Sequence, residues 1–143
     1  MDERENIRTV RQLYACFFGQ GDIPGTLRLL TEDVDWWLAG PREILPWAGS
    51  CCGREQVGRF LAAFPETLEI QAFEPRTFVA QGETVVVLGR ERTRVKPTER
   101  VCETEWVMVF TLRDGKIARF RQYHDSAAWV AAYQVSGSYQ VSG

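Results

Sequence analysis

The stretch that decides the fold is residues 83–124, ETVVVLGRERTRVKPTERVCETEWVMVFTLRDGKIARFRQYH, in which apolar and polar side chains alternate. A period of two predicts β-strands, because successive side chains of a strand point to opposite faces of a sheet. The alternation breaks at VKPTER and RDGK, which are typical turn sequences. The stretch therefore predicts three strands in an antiparallel meander, Glu83–Val95, Arg100–Arg113 and Lys116–His124.

The chain around this meander contains a further long strand and several helices. Leu68–Phe78 also alternates, and the turn sequence AQGE separates it from the meander. In the first segment apolar residues recur at helical spacing up to Phe17, and GQGD then supplies a glycine stop and the cap residue Asp22. The other predicted elements are a short helix over 22–31, a strand at VDWWLAGP, a loop over 41–53, a helix at GREQVGRFLAAF and a C-terminal helix at DSAAWVAAY capped by Asp125 or Ser126.

Helices that precede a run of antiparallel strands indicate an α+β fold. We predict a cone-shaped, strongly curved antiparallel sheet wrapped by three N-terminal helices and followed by a short C-terminal helix. One domain is expected over residues 1–134, with a C-terminal tail over 135–143. The direct repeat YQVSG at 133–137 and 139–143 is too short for a repeat fold, and we expect part of it to be frayed or docked on a partner subunit.

Composition narrows the class of protein. The 143 residues are 45% hydrophobic and carry a net charge of −2, which is typical of a soluble globular chain. The slightly negative net charge makes nucleic acid an unexpected partner. No apolar run approaches the ~20 residues of a membrane span, and the acidic start MDERENIR does not resemble a signal peptide, so a cytoplasmic location is expected. The four cysteines lack C-x-x-C spacing, which favours unpaired thiols and gives no support to a zinc site.

Alternation also predicts which side chains point into the cone. On the strand 83–95, three arginines share one face, so the opposite face with Val87, Gly89, Glu91 and Thr93 should point inward. An unpaired carboxylate there costs several kcal/mol, and burial should raise the pKa of Glu91. Glu91 therefore needs a partner or a chemical role.

The next two strands add polar and aromatic side chains to the same interior. Trp106 and Met108 share a face, and Phe120, Gln122 and His124 share a face of the last strand. We therefore expect Glu91, Gln122 and His124, the only histidine of the chain, to meet in one pocket.

The order of several short motifs resembles a known superfamily along nearly the whole chain. These motifs are a first helix with Tyr14, then GQGD, LLTEDVDW, LPWAG, TVVVLGR and the ending FTLRDGKIARFRQYHD. In this order they resemble the nuclear transport factor 2-like superfamily, and within it the SnoaL-like branch of polyketide cyclases. The resemblance implies a cone-shaped α+β barrel, commonly dimeric, whose pocket takes small apolar or polycyclic molecules without metal or organic cofactor.

Ketosteroid isomerases of this superfamily use a tyrosine on the first helix and two aspartates, one as a base and one as a protonated hydrogen-bond donor. Tyr14 matches the tyrosine, whereas the two acids fall on Leu38 and Met108. The mechanism of those isomerases therefore lacks its base in this chain.

Two other relatives are matched on the later strands. Limonene epoxide hydrolases use an Asp–Arg–Asp trio, whose positions fall on Gly89, Glu91 and Gln122, so that one acid remains, as Glu91, and the arginine and the second acid are absent. SnoaL-type cyclases use an acid on the last strand, which matches Gln122. The next inward residue is His124.

Two interpretations of His124 follow. In the first, His124 is the catalytic base, Glu91 raises its pKa, and Tyr14 or Gln122 stabilises a developing enolate. In the second, His124 is a structural residue whose hydrogen bonds are satisfied at the junction between strand and helix. Asp125 is expected to be a helix cap in both.

Aromatic residues are numerous and either fill the core or contact a ligand. Trp36 and Trp106 should line the cone, and Trp47 lies on a Pro/Gly-rich loop where it could close the mouth. The predicted ligand-binding residues are Phe17, Trp36, Leu38, Trp47, Phe60, Thr93, Trp106, Met108 and Phe120.

Three functions remain open. The first is a cofactor-free cyclase or isomerase that transfers protons on a small hydrophobic carbonyl or polyketide-like substrate. The second is a pocket that binds an apolar ligand without catalysis, and the third is a dimeric interaction domain with a vestigial pocket. A homodimer is expected in any case, because one sheet face offers a charged and self-complementary surface. That surface contains Arg90, Arg92, Arg94, Glu103 and Glu105.

Overall fold

The computed structural model describes residues 2–134, which form an α+β fold built on one six-stranded sheet. The helices are α1 (Glu3–Tyr14), which continues as a π-helical turn at Ala15–Gly19, α2 (Ile23–Leu27), α3 (Gly53–Thr67) and α4 (Ser126–Ala132). The strands are β1 (Leu30–Leu38), β2 (Gly49–Cys52), β3 (Leu68–Gln81), β4 (Thr84–Val95), β5 (Arg100–Arg113) and β6 (Lys116–His124).

The sheet is curved and unclosed, with the strand order β2-β1-β6-β5-β4-β3. The predicted meander is confirmed, because β3 to β6 pair consecutively and antiparallel. The predicted curved antiparallel sheet is confirmed apart from one pairing, in which β1 runs parallel to β6 with Trp36 opposite Phe120.

Two predicted boundaries near the N-terminus also change. α2 ends at Leu27, four residues earlier than predicted, because Leu30 already begins β1. The region 41–53 is not entirely loop, since its last residues form the edge strand β2, which pairs with β1. The predicted helix stop is confirmed by Gly21, whose φ of 63° is the left-handed conformation that favours glycine.

Side-chain caps fix the starts of α1, α2 and α4. The Asp2 carboxylate accepts a hydrogen bond from the backbone N–H of Glu5, and the Asp22 carboxylate does the same for Gly25. At the other end of the chain Asp125 accepts from the backbone N–H of Ala128, so its predicted role as a helix cap is confirmed.

Two hydrophobic clusters fill the concave side of the sheet. The larger one lies between the inner face of β1, β4, β5 and β6 and the helices α1 and α3. The smaller one joins the loop 39–48 to α4, with Leu45 and Trp129 at its centre. The core therefore has a main cluster and a smaller second one.

The outer face of the sheet carries the predicted charge pairs. Glu103 binds both Arg90 and Arg92, at 3.0 and 2.8 Å. These side chains are between one third and one half exposed, so each pair contributes little to stability.

Other predictions concern membranes, metals and the tail. Within residues 2–134 no helix is long and apolar enough to span a membrane. In the same part of the chain no three acidic, histidine or cysteine side chains gather as a metal site would require, and the four cysteines are free thiols. The second copy of YQVSG and the tail 135–143 lie outside the described residues.

Candidate functional site

The concave face of the sheet encloses a cavity of about 50 Å³. Two open grooves adjoin it, one between the π-helical turn and β3 and one between the loop 39–48 and α3. A water molecule needs roughly 10–15 Å³ in a cavity of this kind. At this volume the cavity holds only a few water-sized molecules, and a larger ligand requires lining side chains to move.

Most of the predicted site residues line this cavity. Those that do are Tyr14, Phe17, Trp36, Leu38, Trp47, Phe60, Glu91, Met108, Phe120 and Gln122. Three of the predicted residues, Thr93, Trp106 and His124, are not part of the lining.

Glu91 points inward as expected and is 6% exposed. The Thr93 hydroxyl donates a hydrogen bond to Glu91 Oε2 at 2.5 Å. Thr93 therefore contacts the site through Glu91, although it does not line the cavity. Among residues 2–134, Oε1 has no hydrogen-bond donor, and no basic side chain pairs with the carboxyl. Desolvation by burial raises the pKa of Glu91, more than the Thr93 hydroxyl lowers it, as the sequence predicted.

Tyr14 and Met108 meet inside the cavity. The Tyr14 hydroxyl donates to Met108 Sδ at 3.2 Å, and burial raises the pKa of Tyr14, so this phenol stays protonated. The resemblance to ketosteroid isomerases matched Met108 to an acid, and the structure places that position against the tyrosine. A thioether is a weak acceptor without a proton, so this pair lacks the acid that those enzymes use there.

His124 is held by hydrogen bonds on both ring nitrogens. Nε2 lies 2.9 Å from the backbone oxygen of Ala39, and Nδ1 lies 3.1 Å from Gln122 Nε2. The ring also packs edge-on against Trp47, with 5.4 Å between ring centroids. Neither nitrogen is left for a substrate, which favours the structural interpretation of His124.

The expectation that Glu91 raises the pKa of His124 is wrong. Burial lowers this pKa, and the largest opposing effects come from the Ala39 carbonyl and Asp125. Register explains why Glu91 has no effect. His124 on β6 is opposite Trp106 on β5, which is opposite Gly89 on β4. Glu91 is two residues further along β4, so two strand spacings and two residues separate its carboxyl from the histidine.

Trp106 is a core residue that covers Gly89. Its ring stacks on Phe73 at 5.0 Å, and a Cβ atom at Gly89 would lie 2.5 Å from Cη2 of the indole. The position that resembles an acid of the epoxide hydrolases is thus occupied by a tryptophan ring. An acid placed there would have no room.

Several lining residues were not predicted, and a strand irregularity explains one of them. Strict alternation from Ile70 turns Phe73 outward, but the β3 register shifts between Ile70 and Ala72, so that both Ile70 and Phe73 face the cavity. Phe73 stacks on Phe18 at 3.7 Å. Phe64 on α3 and Trp129 on α4 also line the cavity and were not predicted as ligand-binding residues. The signal that could have identified them is the spacing of apolar residues on the buried side of each helix.

The cavity wall also contains buried donors. The indole N–H groups of Trp36 and Trp129 have no acceptor among residues 2–134. Thiols do not add a nucleophile, because burial raises the pKa of Cys102 to about 12 and raises that of Cys51. Among residues 2–134, Glu91 and Tyr14 are the cavity-lining groups with shifted pKa values, and burial raises the pKa of both.

These features define a class of protein: a small α+β domain in which a curved sheet and its helices enclose an aromatic cavity with one uncompensated carboxyl group. The SnoaL-like domain family matches residues 10–120, and the chain belongs to this family, as the sequence motifs predicted.

Solved structures with the same fold cover nearly the whole chain. An NTF2-like protein from Burkholderia xenovorans is 36% identical with a TM-score of 0.85, over 94% of this chain and 99% of that one. An NTF2-like protein from Burkholderia pseudomallei is 27% identical with a TM-score of 0.84, over 94% and 100%. TerC, co-crystallized with polyporic acid, is 28% identical with a TM-score of 0.80, over 90% and 98%. A search of curated proteins found no match.

Proposed function

We propose that the protein is a cofactor-free enzyme that transfers a proton on a small hydrophobic carbonyl compound, as a cyclase or isomerase, with Glu91 as the acid/base group. One observation carries this proposal. Glu91 is a buried carboxyl group in the wall of an aromatic cavity, and no cation compensates its charge among residues 2–134. Membership of the SnoaL-like family and the similarity to TerC, which was co-crystallized with polyporic acid, support an organic ligand.

The chemistry follows from the raised pKa. A carboxyl group whose pKa lies closer to neutral is present in both protonation states near its working pH, so it can take a proton beside a carbonyl and return it elsewhere. The apolar wall keeps water away from the resulting enolate. The protonated Tyr14 hydroxyl is the candidate donor to the enolate oxygen, which it would reach by turning from Met108 toward the ligand.

Binding without turnover is the second candidate. Leu38 and Met108 are apolar where the resemblance matched the acids of an isomerase, and the lining of the cavity is dominated by aromatic and aliphatic side chains. This arrangement suits an apolar ligand that is held and not converted. Both candidates place the ligand in the same cavity, and both are proposed for a cytoplasmic protein without a nucleic-acid partner, which the net charge of −2 supports.

Exchange of α-protons tests the proposal without knowledge of the natural substrate. We expect the protein to accelerate deuterium uptake from D₂O into cyclopentanone or 2-indanone, as followed by proton NMR. Glu91→Gln should lower that rate about 100-fold or more, to the buffer rate, because general acid/base catalysis contributes about that much. The control Glu55→Gln changes an exposed acid on α3 and should leave the rate unchanged.

Two results would count against catalysis. Equal rates for wild type and Glu91→Gln would remove Glu91 from the mechanism. Binding of these ketones without any acceleration of exchange would favour the second candidate.

We also propose a homodimer that forms through the outer face of the sheet. Leu88 on β4, Val107 on β5 and Tyr123 on β6 are in register and form an apolar row, in which Leu88 is 43% and Tyr123 48% exposed. The ladder of Arg90, Arg92 and Glu103 borders it and carries both signs of charge. A second copy turned by a two-fold axis can cover the apolar row and pair the charges.

Sedimentation velocity at micromolar concentration should therefore show a dimer. Leu88→Glu should convert it to a monomer, because it places a charge in the apolar row that the proposed interface buries. Ile44→Glu is the matched control, since Ile44 is 38% exposed but lies on the loop 39–48. A wild-type monomer would overturn this part of the proposal.

A further inference from the structure

The hydrogen bonds of His124 determine which atom of Gln122 faces the cavity. The backbone oxygen of Ala39 can only accept, so the proton of the neutral ring is on Nε2, which lies 2.9 Å away. Nδ1 is then an acceptor, and the group opposite it must be a donor. That group is the amide nitrogen of Gln122, at 3.1 Å.

The other atom of the Gln122 amide is left for the cavity. Gln122 is 7% exposed and belongs to the cavity lining. Its nitrogen is directed to the histidine, so its oxygen Oε1 lies on the opposite side of the planar amide. Among residues 2–134 no donor binds this oxygen.

We propose that His124 is a positioning residue that holds the Gln122 carbonyl oxygen toward the cavity, and that the site thereby selects ligands with a hydroxyl or enol hydrogen-bond donor. The proposal rests on the proposed function only in taking this cavity as the ligand site. It does not require that Glu91 transfers a proton.

The same contacts make the selection depend on pH. A protonated His124 carries a second proton on Nδ1, and two donors cannot bond to each other. A half-turn of the Gln122 amide then places Oε1 on Nδ1–H and turns the NH₂ group to the cavity. The cavity would consequently present an acceptor above the pKa of His124 and a donor below it.

The surroundings of His124 are consistent with a neutral ring at physiological pH. Its neighbours are Trp47 on the loop 39–48, Trp106 opposite on β5 and Trp129 on α4, none of which carries a charge. Asp125, at the start of α4, is the charged group that acts on the ring, and burial outweighs it, so the pKa lies below its ordinary value. The hydroxyl of Tyr133, just after α4, accepts a hydrogen bond from the Trp47 indole N–H and does not contact the histidine ring by a hydrogen bond.

Nitrogen NMR tests the positioning without a ligand. In protein labelled with ¹⁵N we expect the Nε2–H tautomer of His124 at pH 7.5. The side-chain amide of Gln122 should titrate with the same midpoint as the His124 ring, below that of a free histidine. Gln12, an exposed glutamine on α1, is the control and should not follow this midpoint. An Nδ1–H tautomer, or a Gln122 amide that does not respond to the histidine, overturns the proposal.

Paired probes test the selectivity. Phenol and fluorobenzene have nearly the same shape, and only phenol donates a hydrogen bond. At pH 7.5 phenol should bind about fivefold more tightly, as one hydrogen bond of ~1 kcal/mol allows, and Gln122→Leu should abolish this preference. A phenol affinity that does not exceed that of fluorobenzene, or that stays the same in the variant, overturns the selectivity. Neither result depends on the deuterium exchange of ketones, so the two proposals fail separately.

Discussion

Gly89→Ala should destabilise the protein by about 3 kcal/mol, because no space exists for a methyl group at this position. A Cβ atom on Gly89 would lie 2.5 Å from Trp106 Cη2 and 2.7 Å from the backbone oxygen of Glu74. Trp106 is 1% exposed and stacks on Phe73, so it cannot swing away freely. Thermal unfolding should show a melting temperature lower by about 10 °C.

Two comparisons isolate the steric cause. Gly19→Ala is the matched control, because nothing lies within 4 Å of its Cβ position, and it should not lower the melting temperature. Combining Gly89→Ala with Trp106→Leu should cost less than the sum of the two single changes, since the leucine removes the nearer clash. Strict additivity, or a Gly89→Ala protein as stable as wild type, would show that the tryptophan does not need the glycine.

The long strands could be predicted because their side chains obey one local rule. β4 and β5 alternate throughout, and β6 alternates from Phe120 onward, after a register shift near Ala118. The inward positions of Glu91, Met108 and Gln122 therefore follow from counting by two. β3 breaks the rule twice, with register shifts near Gln71 and Arg76. Such bulges depend on the fit between neighbouring strands, which is why the inward position of Phe73 could not be predicted.

Elements at the other edge of the sheet depend on distant partners. β2 has only four residues and exists because β1 pairs with it. The parallel pairing of β1 with β6 joins segments about 85 residues apart, and no local period indicates its direction. The contact of His124 with Ala39 has the same origin, because it extends this pairing past the end of β1. A histidine at a strand end could thus be located from the sequence, but its hydrogen bonds could not.

Glu91→Gln should become increasingly more stable than the wild type as the pH rises, although the same change is expected to abolish the proposed activity. The folded-state pKa of Glu91 is raised above its ordinary value of 4.5 by burial, so the folded protein holds a proton that the unfolded chain releases. This contribution to stability is fully present below pH 4.5 and is lost as the pH rises through the folded pKa. The loss is at most about 1.4 kcal/mol, or about 4 °C, for each pH unit in that interval.

Glutamine has nearly the same size, remains neutral and can still accept the hydrogen bond of the Thr93 hydroxyl. The melting temperatures of wild type and Glu91→Gln should therefore agree near pH 4, separate as the pH rises, and differ by a constant amount once the folded carboxyl is ionised. Glu55→Gln, at an exposed acid, should show no such separation. A difference that is independent of pH, or a variant that is less stable at pH 8, would mean that the carboxyl is compensated in the folded protein. If the separation is found, it measures the free energy of unfolding that is lost when Glu91 ionises. A site that only binds apolar ligands gains nothing from this loss, so the result would favour the proposed acid/base role of Glu91.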